Sequence, residues 1–139
     1  KGLSEARIIW GHALRNAGLK AHPELHVRSH FGSEDAYASV RALIETGGDF
    51  DGVMAASDVI AISAIRALSE SGRRVPQDVS VVGFDDILLA EHAHPPLTTV
   101  RQELAQGAIK LVETVIAAIR GEKPESTTLA PILIVRASA

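Results

Sequence analysis

The sequence predicts an α/β fold built on a doubly wound parallel sheet, and three observations carry that expectation. Two short apolar runs, residues 52–56 (GVMAA) and 79–84 (VSVVGF), have strand length and suit buried strands. Longer stretches whose apolar residues recur at helical spacing alternate with them, the pattern of βαβ units joined by right-handed crossovers. Two carboxylates, Asp85 and Asp86, stand just past the second run. Ligands of open parallel sheets bind outside the carboxyl ends of the strands, so this pair marks a candidate site.

Taken in order, Ala6, Ile9, Trp10, Ala13, Leu14 and Ala17 share a helical face, with Ser4 placed as N-cap and Gly18 as a stop. Residues 25–29 alternate apolar and polar side chains and read as a short strand ending at His30-Phe31-Gly32. Ser33 is suited to cap a second helix, whose Ala36, Val40, Leu43 and Ile44 form one face before Thr46-Gly47-Gly48 ends it. After the strand at 52–56, Ser57-Asp58 caps a helix to about Glu70. That helix is apolar nearly all round, which implies cover on both sides. Ser71-Gly72 and Pro76 close it, and the strand at 79–84 follows. A loop ending in Pro95-Pro96 leads to a second short strand at 97–101. Leu104, Ala108, Leu111, Val112, Val115 and Ile119 mark a long amphipathic helix stopped by Gly121 and Pro124. The last strand-like segment is 127–135, where Pro131 cannot donate to a ladder and suggests an edge or a bulge.

Composition narrows the class. The 139 residues suit one domain, and 46% hydrophobic with 22% charged residues is a globular balance. Aromatic residues make up only 4%, so the core must come from Ala, Val, Ile and Leu. A net charge of −3 gives no overall basic signature for nucleic acid. With no cysteine there is neither a disulfide nor a thiolate metal site, which fits a cytoplasmic location. No apolar run approaches the ~18 residues of a membrane span, so no membrane partner is expected. The chain opens without Met and leads straight into a helical pattern, and it reads as a piece of something longer.

Asp85 and Asp86 could form a catalytic pair, a metal site, or acceptors for a polar ligand. Capping of the following turn is an equally open reading. No further acidic residue completes a magnesium or phosphoacceptor pattern around them. Ser57 and Asp58 lie at another strand end, where a helix N-terminus satisfies its own amides and also offers donors to a ligand. Phe31 either plugs the core or presents a flat face to a ligand ring. Glu91, His92 and His94 fit a solvated loop better than a metal site, having no third partner at helical spacing. Nucleotide-binding glycine patterns and the Gly-x-Ser-x-Gly elbow are both missing. Neither an enzyme nor a cofactor or metal is expected.

The run from Asp51 to Gln102, DGVMAASDVIAISAIRALSESGRRVPQDVSVVGFDDILLAEHAHPPLTTVRQ, closely resembles the lactose/galactose-repressor family of bacterial transcription regulators. RVPQDVSVVGFDD followed by PPLTTVRQ is the specific part, and the likeness extends more weakly over nearly the whole chain. The resemblance implies a periplasmic-binding-protein-like fold of two α/β subdomains with an effector in the cleft between them. It places 1–101 and 127–139 in the C-terminal subdomain, and the helix at 102–121 in an N-terminal subdomain that this sequence lacks. It also implies a dimer whose helix-turn-helix headpiece, likewise outside this sequence, binds operator DNA.

By the same resemblance Asp85 matches the acidic residue that accepts hydrogen bonds from ligand hydroxyls. Ser57 falls where relatives often carry Asn, and Asp58 matches the Asp that follows it. Phe31 matches the aromatic packed on the ligand ring, and Gln102 a cleft-side polar residue. The family's ligand-binding Arg falls on Ala6, with Arg7 one residue late and ~100° around a helix. Ile9-Trp10 stands for the usual Gly-aromatic pair, Ser57 shortens the reach of Asn, and Ala130-Pro131 reverses the usual order. These departures suggest an effector unlike the best-known sugars. The family's first C-terminal-subdomain strand would precede Lys1 and lie inside a sheet of order 2-1-3-4-5, so its loss would bare two strand edges. Either a proteolytic or truncated fragment that dimerises or swaps elements, or a crystal form in which the 103–120 helix packs differently, is therefore expected.

The function this implies is sensing of a small-molecule effector, a sugar or similar polyol, coupled to operator binding by the missing headpiece. The alternative is a sugar-binding protein of the periplasmic type serving transport. A third reading, a flavodoxin-like phosphoacceptor at Asp85, needs a partner Lys that Lys20 and Lys110 are not placed to supply.

Overall fold

The computed structural model describes residues 13–28 and 32–139. Its helices are α1 (Ser33–Glu45), α2 (Asp58–Glu70), the short α3 (Leu88–His92) and α4 (Leu104–Ile119). Its strands are β1 (Gly52–Met54), β2 (Ser80–Phe84), β3 (Thr98–Arg101) and β4 (Ile132–Ile134). They form one sheet in the order β1-β2-β3-β4.

β1, β2 and β3 run parallel, with Val53 opposite Val81 and Gly83 opposite Thr99. β4 instead pairs antiparallel with β3, Val100 lying opposite Leu133. The expected parallel sheet is thus mixed, with one antiparallel edge strand, an arrangement common on parallel sheets. Pro131 explains where β4 begins: without an N–H it cannot enter the ladder, so only the last part of the 127–135 segment pairs.

The crossover β1-α2-β2 is the centre of the fold. Ser57 caps α2, its Oγ accepting from the Ile60 amide at 3.4 Å. Along β2, Val81 and Gly83 are buried and alternate with half-buried Ser80, Val82 and Phe84. Gly83 permits the close approach of α2: a Cβ there would lie 2.2 Å from Asp58 Oδ1 and 3.3 Å from the Ala61 Cβ. The core comprises Ala55, Ala61, Ile65, Leu68, Val79, Val81, Ala90 and Leu97, the aliphatic set that the scarcity of aromatics required.

The outer side of α2 meets α1. Ala64 and Ala67, both fully buried, let Val40 pack close, with Tyr37 and Ile44 beside it. Arg66 lies over the Tyr37 ring, 4.7 Å from its centroid, and the Tyr37 hydroxyl donates to Glu70. α2 is therefore covered on both sides, as its apolar circumference predicts. α1 begins at Ser33 itself, with Gly32 as N-cap and no side-chain capping bond, so Ser33 is not the cap it was expected to be.

Residues 25–28 do not form the expected strand. Pro23–Leu25 instead makes a 3₁₀ turn in which the His26 amide donates back to the Pro23 carbonyl at 3.2 Å, so that donor is withheld from any ladder. The helical turn over 13–16 fits the first expected helix, whose residues before 13 lie outside those described. α4 stands apart from the core, with no buried residue and with Leu104, Leu111, Val112, Val115, Ile116 and Ile119 exposed.

The tail after β4 is stitched in by polar groups. The Ser138 hydroxyl, fully buried, donates to the Val81 carbonyl (2.6 Å) and accepts from the Thr98 amide (2.8 Å). The Val81 amide in turn donates to the Ser138 carbonyl at 2.7 Å. Burying these groups costs little because each finds a partner.

Candidate functional site

The parallel strands end together, and three of the expected site residues, Ser57, Asp85 and Gln102, lie just past those ends. Ser57 follows β1, Asp85 and Asp86 follow β2, and Gln102 follows β3. Asp85 and Asp86 have φ of 111° and 52°, conformations that non-glycine residues rarely adopt. Each costs on the order of 1–3 kcal/mol and persists only where surrounding contacts impose it. The Asp85 amide donates to the Val100 carbonyl at 2.9 Å, which fixes the turn against β3.

The two carboxylates then part company. Asp85 is exposed, and its Oδ1 accepts from Gln102 Nε2 at 3.2 Å. Asp86 turns inward, its side chain only 6% exposed, and meets two guanidinium groups. Arg101 Nε donates to Asp86 Oδ2 at 2.6 Å, and Arg136 Nη2 lies 2.8 Å from Oδ1, outside hydrogen-bond alignment. Burial pushes this carboxyl up, but Arg136 and Arg101 together outweigh it and hold it below the usual range. Of the open readings, capping of the following turn is therefore not the role of Asp86: it bridges the ends of β2 and β3 and the tail beyond β4.

Asp58 also departs from its expected place. It is fully buried, Oδ2 accepting from the Ile87 amide at 2.9 Å and Oδ1 from the Thr99 hydroxyl. Both oxygens are engaged inside the fold, so Asp58 ties α2 to the β2–α3 turn and β3 and does not face the strand ends as a ligand group. Ser57, 8% exposed, accepts the cap bond and keeps its hydroxyl proton to donate. Phe31 and Arg7 lie outside the described residues.

Sequence reasoning missed Arg101, Arg136 and Thr99. Two of them stand inside the PPLTTVRQ run, where each reads as an ordinary strand residue. Arg136 carries no local signal, since only the fold brings it beside Asp86. The loop expected to hold Glu91, His92 and His94 contains α3, which ends at His92. Among the described residues no group of three His, Asp or Glu side chains could hold a metal, and no helix is long and apolar enough to cross a membrane. Two surface hollows, of about 440 and 290 Å³, lie elsewhere, beside His22 and Thr46 and beside Ile62 and His94. Neither hollow is lined by Ser57, Asp85 or Gln102.

Over residues 7–139 the chain matches the family of periplasmic binding protein-like domains. It is 39% identical over 117 residues to the HTH-type transcriptional regulator CelR of Thermobifida fusca, covering 84% of this chain and 34% of that protein. A sugar-binding transcriptional regulator of the LacI family from Escherichia coli, solved in complex with phosphate, superposes with a TM-score of 0.85 at 30% identity. That match covers 94% of this chain and 47% of the other. The chain belongs to the LacI/GalR family. A solved CelR–cellobiose complex is also similar, with a TM-score of 0.86, 38% identity, and coverage of 94% of this chain and 40% of that one. The periplasmic-binding-protein-like architecture expected from GFDD and PPLTTVRQ is thereby established for this LacI/GalR member. The chain spans about a third of the length of the curated CelR relative.

Proposed function

We propose that this chain is the effector-sensing portion of a DNA-binding transcriptional regulator, and that its ligand is a small polar molecule, a sugar. The observation that carries this reading is the exposed Asp85 carboxylate, held at the ends of parallel strands with Gln102 hydrogen-bonded beside it. A carboxylate accepts from vicinal hydroxyls, and the Gln102 amide both donates and accepts, which together suit a polyol. Phe31 would supply a flat face to the sugar ring, and Ser57 a hydroxyl donor. The CelR–cellobiose complex supports a disaccharide as the first ligand to try.

In this reading a second subdomain, outside this sequence, closes over the strand-end face and packs on α4, whose apolar face is otherwise unpartnered. A ligand touching both sides favours the closed state by its differential affinity and so shifts a headpiece between operator-binding and non-binding states. The intact regulator acts as a cytoplasmic homodimer, contacts DNA only through that headpiece, and performs no chemistry. The similarity to regulators, CelR among them, favours this over a transport protein of the same fold.

The test is thermal unfolding of the full-length protein against cellobiose, lactose, ribose and purine nucleosides. A ligand selective for the native state raises apparent stability by about 2.7 kcal/mol at a hundredfold excess over its Kd. A sugar should raise the midpoint; stabilisation by nucleosides alone would overturn the sugar assignment.

A further inference from the structure

We infer that Asp86 is a positioning residue for the effector site: clamped by Arg101 and Arg136, it holds Asp85 and Gln102 in the arrangement that receives the ligand. This rests on the reading of Asp85 and Gln102 as ligand groups. Three observations support it. Asp85 and Asp86 occupy successive positive-φ conformations, at 111° and 52°, so something must oppose relaxation of the turn. On the Asp85 side the restraints are the bond from its amide to the Val100 carbonyl at 2.9 Å and the exposed contact from Gln102 Nε2 to its Oδ1 at 3.2 Å.

On the Asp86 side the restraint is larger. Its carboxylate is 6% exposed and lies between Arg101 at 2.6 Å and Arg136 at 2.8 Å. Arg136 is itself fixed, Nη1 donating to the Leu97 carbonyl at 2.8 Å and its amide to Thr98 Oγ1 at 2.9 Å. Neither Asp86 oxygen accepts from the backbone of its own turn, which removes the simple capping explanation.

The third observation is connectivity. Arg101 immediately precedes Gln102, and Gln102 donates to Asp85. The Asp86–Arg101 pair therefore links the two strand ends that carry the two ligand groups, and a neighbouring contact closes the circuit through Asp85 and Gln102. A group that orients contacting residues while remaining out of reach of the ligand governs affinity through geometry.

The experiment compares wild type, Asp86→Asn, Arg101→Met, Arg101→Lys and Asp85→Asn in the full-length protein. Amide exchange at Asp85 and at Leu68, and cellobiose affinity well below the unfolding midpoint, are measured for each. Asp86→Asn should speed exchange at Asp85 about tenfold or more while leaving Leu68 unchanged, because only the turn is released. Cellobiose affinity should fall about tenfold in Asp86→Asn and Arg101→Met, with partial recovery in Arg101→Lys. If Asp86→Asn does not fold, Arg101→Met, which alters a half-exposed side chain, carries the same comparison. Unchanged Asp85 exchange, or equal acceleration at Leu68, overturns the positioning role. A wild type that binds no cellobiose while Asp85 exchange still responds to Asp86→Asn supports the positioning role and counts against the sugar reading alone.

Discussion

The Thr99 hydroxyl on β3 donates to the buried carboxylate of Asp58 at the start of α2, joining a strand to a helix across the fold's centre. Neither group reaches solvent. Thr99→Val keeps the shape but removes the donor, leaving one carboxylate oxygen unmet. The expected loss is about 1–3 kcal/mol, the usual cost of an unsatisfied buried acceptor. Urea unfolding of the variant checks it, and a loss near zero would mean that the Thr99–Asp58 bond does not stabilise the fold.

Gly83→Ala should be at least as harmful. The new Cβ would fall 2.2 Å from Asp58 Oδ1 and 2.9 Å from Leu97 Cδ2, so α2 or β2 must move. Overpacking of this kind costs about 1–3 kcal/mol, and here it also disturbs a doubly bonded carboxylate. The lowered midpoint should appear in thermal unfolding with or without ligand.

The cap on α2 is weaker. Ser57 Oγ lies 3.4 Å from the Ile60 amide, so Ser57→Ala should cost about 0.5–1 kcal/mol, the low end for lost caps. Circular dichroism melting of the variant gives the value directly.

Acid dependence has a distinct signature at the 74–78 turn. The Arg74 guanidinium and amide donate to Asp78 and bring its carboxyl down to about 2. A carboxylate with a lowered folded-state pKa stabilises above its unfolded value near 4 and loses that contribution as pH falls towards 2. The difference in midpoint between wild type and Asp78→Asn should therefore shrink steadily from pH 5 to pH 2. A difference independent of pH would place the effect elsewhere than in the charge.

Much of this fold was legible in the residues, and the exceptions have physical causes. The helices at 33–45, 58–70 and 104–119 follow from apolar spacing and from stops at Gly47, Gly72 and Gly121. β2 follows from its run of Val and Phe between turn residues. The strand expected at 25–29 rested on alternation alone, and alternation cannot supply a neighbouring edge to pair with. At the site, Gln102 came only from the family resemblance, whereas Asp85 and Ser57 could be placed because strand ends are readable from local pattern. The separate duties of Asp85 and Asp86 could not, since they depend on Arg136, fifty residues further along the chain and brought near only by β4. Asp58 was misplaced for the same reason, its partner Thr99 being set by sheet register.

The central claim is that Asp85 accepts hydrogen bonds from a sugar effector. Isothermal titration of cellobiose into the full-length protein and its Asp85→Asn variant, which preserves shape and removes charge, tests it most directly. Hydrogen bonds to charged groups contribute about 1.5–3 kcal/mol, so the variant should bind roughly ten- to a hundredfold more weakly while still binding operator. Equal affinity of the two proteins for the sugar would contradict the account.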